Sequence, residues 1–286
     1  MKVSADCIPC FLKQLLELSR LVYKKKDLRY GIIKRCISVL SGLPLKKMKP
    51  PQVAKRLYSF IREESGVEDP FREIKKRSNQ IAKMITEELR SVVEESDDPF
   101  ETALRLSIAG NIIDYGQAKG VDDSSIRESI EESLRVELDR NLIGRLYKEI
   151  EDSKSLLYIA DNAGEIFFDR LFIENMPTRN ITFAVRERPI INDATREDAI
   201  ETGIDKICTL IDTGDDTPGI ILEDCSEEFV SAFNEADVII SKGQGNFETL
   251  SDVEGKRIYF LFKIKCIPVA EETSNRLGST VVLCRG

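Results

Sequence analysis

The sequence contains no histidine among its 286 residues. That absence excludes Ser-His-Asp and Cys-His catalysis, histidine-based zinc motifs and histidine as a general base. Any bound metal must sit on carboxylates, amides or thiolates, and proton transfer falls to Asp, Glu, Lys, Cys or Tyr. There is no apolar run of the roughly 18 residues that a membrane-spanning helix needs, and the opening "MKVSADCIPC" has no apolar stretch of the secretory type. Basic excess is lacking too. The formal net charge is -8, whereas nonspecific nucleic-acid binding needs a basic surface that displaces counterions. Short basic clusters such as "YKKK" and "LKKMK" read as solvated helix ends. Seven cysteines without an export signal fit a reducing compartment, and their odd number excludes complete internal pairing. We expect a cytoplasmic protein with no membrane or nucleic-acid partner, and leave its oligomeric state open.

What is present divides the chain in two. Up to about residue 150, apolar residues recur at helical spacing. "CIPCFLKQLLELSRLVY" opens on Asp6 as an N-cap, with Pro9 in the first turn. Further helices are expected over 28–41, 51–64, 70–94, 99–118 and 123–150, punctuated by Pro44, Pro50, Pro51, Pro70 and Pro99. From Ser155 short apolar runs take over: "SLLYIA", "ITFAV", "KICTLI", "DVIIS", "RIYFLFKIK" and "STVVLC". Most lead through a polar loop into a helical pattern, as in "EIFFDRLFIENM", "ATREDAIETG" and "SEEFVSAFNEA". Such alternation indicates a parallel sheet covered on both faces. The expected fold is α/β, with a helical domain over 1–150 packed on a doubly wound α/β domain over 151–286.

Three strand ends carry polar residues that a buried sheet does not need. "LLYIADNAGEIFFDRL" places Asp161 and Asn162 between a strand and a helix. In open α/β sheets, ligands bind at the carboxyl ends of strands, near the point where strand order reverses. Either residue could instead cap the helix. After "ITFAV", the stretch "RERPIINDAT" sets Asn192 and Asp193 ahead of another helix, where Asp193 could also be a cap. After "DVIIS" comes "KGQGNFE", which is neither a complete dinucleotide fingerprint nor a P-loop. Together the three supply complementary parts. Asp161, Asn162 and Asp193 are hard oxygen donors suited to magnesium or manganese. Lys242 offers a cation for phosphate, and Gly243 and Gly245 let backbone N–H groups approach an anion. A metal, a lysine and free N–H groups are the equipment of phosphoryl transfer.

"DNAGE", "RERPIINDAT" and "SKGQGNFETL", with "SIAGNIIDYG" upstream and "ADCIPCF" at the start, resemble the damage-control phosphatase family, also called domain of unknown function 89, in its microbial and archaeal branch. The resemblance runs through nearly the whole chain. It implies a helical domain against a Rossmann-like α/β/α domain, and a metal-dependent phosphatase (Mg, Mn, Co or Ni) acting on sugar phosphates or damaged cofactor intermediates in metabolite repair. The implied metal ligands are Asp161, Asn162 and Asp193. The implied phosphate contact is Lys242, in a loop with Gly243, Gly245 and Asn246. Asn111 and Asp114 match an Asn-x-x-Asp element near the pocket, although both could simply bond loop backbone. Arg186 matches a basic position near the phosphate, while Arg188 stands where the family often has a small residue.

Direct attack by water on phosphorus is expected, with Asp193 or Glu165 accepting the proton. Asp161 as nucleophile is the alternative, and the DxD pattern of such phosphatases is absent because Ala163 stands two residues on. Two other functions remain open on sequence: a nucleotide-cofactor or methyl-donor transferase, and a non-catalytic phosphometabolite-binding protein. Cys7, Cys10 and Cys266 could bind a soft metal or form a redox pair, but one CxxC alone is a weak zinc signal and buried structural thiols are the default.

Overall fold

The computed structural model describes residues 1–111 and 123–286. Among the described residues, seven α-helices precede the first strand: α1 (Cys7–Val22), α2 (Lys26–Gly42), α3 (Pro50–Ser65), α4 (Arg72–Glu94), α5 (Pro99–Ala109), α6 (Asp123–Arg135) and α7 (Arg140–Asp152). Their ends follow local chemistry. Pro50 and Pro51 open α3, where a missing N–H costs nothing, and Gly66 closes it in the left-handed region at φ 68°. Asp98 accepts from the Glu101 N–H ahead of α5. The single helix expected over 123–150 is two. Asp139 accepts from the N–H groups of Asn141 and Leu142, which starts α7 afresh.

Six strands follow: β1 (Leu156–Ile159), β2 (Ile181–Val185), β3 (Thr209–Asp212), β4 (Val238–Lys242), β5 (Ile258–Lys263) and β6 (Thr280–Arg285). Interleaved with them are α8 (Glu165–Glu174), α9 (Arg196–Thr202), α10 (Glu227–Glu235), α11 (Gln244–Leu250) and α12 (Ile267–Thr273). The sheet order is β3-β2-β1-β4-β5-β6, so the chain runs one way from β1 and then returns past it. That makes the β1–β4 border the switch point of a doubly wound sheet. β6 departs from the parallel expectation and runs antiparallel to β5. The excursion between them begins and ends in one place, since Ile264 N donates to Ser279 O and Gly278 N donates to Ile264 O. A chain that returns where it left can only pair antiparallel.

Strand alternation divides the core between the two faces. Leu156, Tyr158, Phe183, Val238, Ile240 and Leu261 face an apolar cluster shared with α4, α5, α7 and α8. Leu157, Ile159, Ala184, Ile239 and Phe260 face the cluster of α10, α11 and α12. Helices α1 to α3 form a third cluster, joined by Ile190 and Ile191 from the loop after β2. Lys55 and Arg62 of α3 pair with Asp215 and Asp216 in the loop after β3, so this helical group sits against the carboxyl end of the sheet. α5 lies close on α8 because Gly110 has no side chain. A Cβ there would stand 2.9 Å from Phe168 Cδ2.

The apolar core therefore does not break between α7 and β1. Leu104 of α5, fully buried in the shared cluster, tests this. Leu104→Ala should cost about 2–5 kcal/mol in guanidinium unfolding through lost transfer energy and a residual cavity. A loss under about 1 kcal/mol would mean that the helices rest on the sheet without sharing its core.

Candidate active site

The loops that leave β1 and β2 are laced together by their backbones. Asn162 and Asp193 form an antiparallel bridge. Ala194 N donates to Asp161 O at 2.8 Å, Ala163 N to Asn192 O at 2.9 Å and Arg186 N to Ala194 O at 2.9 Å. This brings the Asp161–Asn162 pair and Asp193, about thirty positions further along the sequence, to one spot at the carboxyl end of the sheet. Ile191 has φ 47°, a left-handed conformation that a β-branched residue rarely adopts, and it directly precedes Asn192 and Asp193.

The loop after β4 completes the spot. Gly243 has φ 82°, and a Cβ there would lie 2.1 Å from Asp161 Cγ, so only glycine lets the Asp161 carboxylate rest on this turn. Gly245 is required for another reason. Its Cβ would stand 2.3 Å from the Pro218 carbonyl oxygen, so its bare side receives protein backbone. Asn246 is fully buried, with both amide hydrogens and its carbonyl oxygen engaged. Its Nδ2 donates to Ala160 O at 3.1 Å and Lys242 O at 2.7 Å, and its Oδ1 accepts from Arg186 Nη2 at 2.8 Å.

Two buried cations organise the acids. Arg186 Nε donates to Asp193 Oδ2 at 2.8 Å, while Arg186 Nη1 is buried with no partner among the described residues. Lys242, 0% exposed, lies between Glu165 Oε1 at 2.7 Å and Asp169 Oδ1, and its ammonium also donates to Ser107 O at 2.9 Å. Tyr158 OH donates to Asp169 at 2.8 Å. Asn162 Nδ2 donates to Asp161 Oδ2 at 2.8 Å and to Glu165 Oε2 at 3.1 Å. Asn111, two residues beyond α5, is buried, and its Nδ2 finds no partner among the described residues. Asp114, its expected companion, lies outside the described residues.

Four carboxylates (Asp161, Glu165, Asp169, Asp193) thus stand against two buried cations (Arg186, Lys242), an excess of negative charge among the buried groups when all are ionised, which the charge of Lys265 offsets in part. Burial, with the charges of Glu165 and Asp193, pushes the Asp161 carboxyl well above its usual range. Burial also raises Asp193, against the opposing pull of Arg186. Asp169 is pushed up to about 7 by burial, opposed by Lys242. Burial works to lower Lys242, but Asp169 and Glu165 outweigh it and leave the ammonium raised.

A divalent cation is the group this donor set fits. Two carboxylates and the Asn162 amide oxygen are hard ligands, and the excess of buried negative charge is of the sign that such an ion balances. Among the described residues, no three Asp, Glu or Cys side chains are grouped to hold a metal by themselves, so the amide and outside oxygens would be needed.

Lys265 was not singled out by sequence, yet its charge acts on both Asp161 and Asp193. It is exposed just beyond β5, and no carboxylate lies within ion-pair distance among the described residues. Its signal was its place after a strand, the same signal that marked Asp161. Asp169 and Tyr158 were also missed, because buried acids and phenols inside apolar patterns look like core. The thiols converge less. All seven cysteines are free, and burial together with Glu248 raises Cys10 and Cys266, which disfavours the reactive thiolate.

The raised carboxyl of Asp161 has a sign that can be checked. A carboxylate whose folded pKa lies above its unfolded value contributes stability in acid, and that contribution is lost as pH rises through the folded pKa. In EDTA, Asp161→Asn should therefore raise the Tm at pH 8 and change it little at pH 4. A lowered Tm at pH 8 would mean that the Asp161 charge is already balanced within the protein.

Residues 3–281 match the damage-control phosphatase ARMT1-like domain. The chain is 37% identical to a damage-control phosphatase of Archaeoglobus fulgidus, covering 98% of each sequence. It is 35% identical to a damage-control phosphatase of Pyrococcus horikoshii, covering 99% of this chain and 98% of the relative. The fold superposes on the crystal structure of a DUF89 family protein from Pyrococcus horikoshii with a TM-score of 0.91, at 33% identity and over 100% of both chains. With its doubly wound sheet and laced strand-end loops, the chain belongs to the damage-control phosphatase family.

Proposed function

We propose that this protein is a metal-dependent phosphatase that hydrolyses small phosphorylated metabolites, sugar phosphates or damaged phosphorylated cofactor intermediates, in metabolite repair. The observation that carries the reading is the junction of Asp161, Asn162 and Asp193 through the 162–193 bridge, in a site with surplus negative charge. Relatives named damage-control phosphatases at 35–37% identity over almost their full length support the phosphatase chemistry.

In this reading, Asp161 and Asp193 hold a divalent ion through their carboxylates and Asn162 through Oδ1, both of its amide hydrogens being engaged elsewhere. The bound ion supplies Lewis-acid polarisation of the phosphoryl group and lowers the pKa of an attacking water. Lys265 draws the phosphate to the mouth as a free cation. The Gly243 turn brings backbone close to the same point, and Arg186 Nη1 and Asn111 Nδ2, which have no partner among the described residues, offer donors to an anionic, hydroxyl-bearing substrate. Arg186 aligns Asp193 by holding Oδ2, which leaves Oδ1 to accept the proton of the attacking water. Glu165 is less suited to that step, since both of its oxygens already accept hydrogen bonds.

The test is hydrolysis of p-nitrophenyl phosphate and a panel of sugar phosphates with Mg²⁺, Mn²⁺, Co²⁺ or Ni²⁺, before and after EDTA. Activity should require the ion. Asp193→Asn, which keeps a partner for Arg186, should lower kcat/KM by roughly two orders of magnitude or more. Lys265→Ala should raise KM about tenfold with a smaller change in kcat. Hydrolysis that persists in EDTA at the full rate would overturn the metal-dependent reading.

A further inference from the structure

Lys242 ends β4 on the wrong face to meet a ligand at the mouth. Side chains alternate along a strand, and Val238 and Ile240 point into the cluster shared with α5 and α8 while Ile239 points to the other face. Lys242 follows the even positions and runs beneath α8. There it meets Glu165 and Asp169, one turn apart on the same side of that helix, and the Ser107 carbonyl of α5. An ammonium has three donors, and three acceptors receive them. None is left for a phosphate.

What lies beyond these partners gives the arrangement a direction. Glu165 spends one oxygen on Lys242 and the other on Asn162 Nδ2. Asn162 Nδ2 also donates to Asp161 Oδ2. Both amide hydrogens being used, the orientation of the Asn162 side chain is fixed and its Oδ1 is the atom turned away from Glu165. Asp169, steadied by Tyr158 OH, anchors the other side of the ammonium. The order is Asp169, Lys242, Glu165, Asn162, Asp161, each holding the next by a hydrogen bond or ion pair.

We propose that Lys242 and Asp169 are positioning residues: they act through Glu165 to fix the Asn162 amide and the Asp161 carboxylate as ligands, and neither contacts the phosphate. The inference rests on the metal-dependent reading above. It identifies a buried relay that ties the end of α5 to the ligand set, with Asp169 and Tyr158 as members that strand-end reasoning does not reach.

The experiment separates metal affinity from phosphate affinity. Mn²⁺ binding is measured by isothermal titration calorimetry, and inhibition by inorganic phosphate is measured at saturating Mn²⁺, for wild type, Lys242→Met and Asp169→Asn. Partners that orient metal ligands typically contribute 10–100-fold to metal affinity or activity. Lys242→Met should weaken Mn²⁺ binding about 10–100-fold and leave the phosphate inhibition constant within about threefold. Asp169→Asn keeps the lysine and nearly the same shape, and should give the same split with a smaller loss. It serves as the decisive variant where Lys242→Met does not fold. Wild-type Mn²⁺ affinity in a folded variant, with the phosphate inhibition constant raised tenfold or more, would overturn the proposal and make Lys242 a phosphate contact. Wild-type values for both constants would overturn it as well, while leaving the metal-dependent reading standing. Failure of the wild type itself to bind Mn²⁺ would remove that reading and this inference together.

Discussion

The bridge between Asn162 and Asp193 joins the loop that leaves β1 to the loop that leaves β2. Parallel strands deliver their carboxyl ends side by side, but the polar residues that follow would scatter into solvent without a second restraint. Here the backbones restrain each other. Three further hydrogen bonds, from Ala163, Ala194 and Arg186, extend the lacing, and the strained φ of Ile191 marks where the second loop is forced into register. With both loops fixed, Gly243 needs only to lack a side chain for the third strand end to close on Asp161.

Electrostatics then shape what the junction can hold. A buried carboxylate is costly unless it is paired, and this site pairs its acids incompletely. Arg186 serves Asp193, and Lys242 serves Glu165 and Asp169. Asp161 receives an amide hydrogen from Asn162, and burial, with the nearby charges of Glu165 and Asp193, pushes its carboxyl up. A carboxylate short of positive charge, beside an amide oxygen held in one orientation, is the feature on which the proposed cation site rests.

The fold was legible in the sequence because its signals are local and periodic. Prolines at helix starts, helical spacing before residue 150 and short β-branched runs after it each map onto elements seen here, whereas Asp6, read as the N-cap of α1, precedes that helix without a side-chain capping bond. The split of the helix over 123–150 went unread because Asp139 looks like any surface acid until its side chain is seen capping the next turn. The antiparallel β6 went unread because direction depends on where the excursion after β5 returns, and "STVVLC" carries no mark of that. For the site, strand-end position found Asp161, Asn162 and Asp193, which the structure brings together. It could not foresee that Asn246 is spent on Ala160, Lys242 and Arg186, or that Gly245 makes room for Pro218. It also could not foresee that the Lys242 ammonium is enclosed, because a lysine before two glycines reads as a phosphate ligand whichever face it takes. Those facts live in strand parity and in contacts between elements far apart in the chain.

The central claim is that Asp161, Asn162 and Asp193 together hold one divalent ion. Crystals grown with Mn²⁺ and measured at the manganese absorption edge test it most directly, because anomalous scattering locates the ion without reference to activity. The account predicts a single strong anomalous peak within bonding distance of a carboxylate oxygen of Asp161, of Asn162 Oδ1 and of a carboxylate oxygen of Asp193, with Lys242 still paired to Glu165 and Asp169. A peak ligated elsewhere, or a fully occupied ion that Asn162 Oδ1 does not touch, would contradict it.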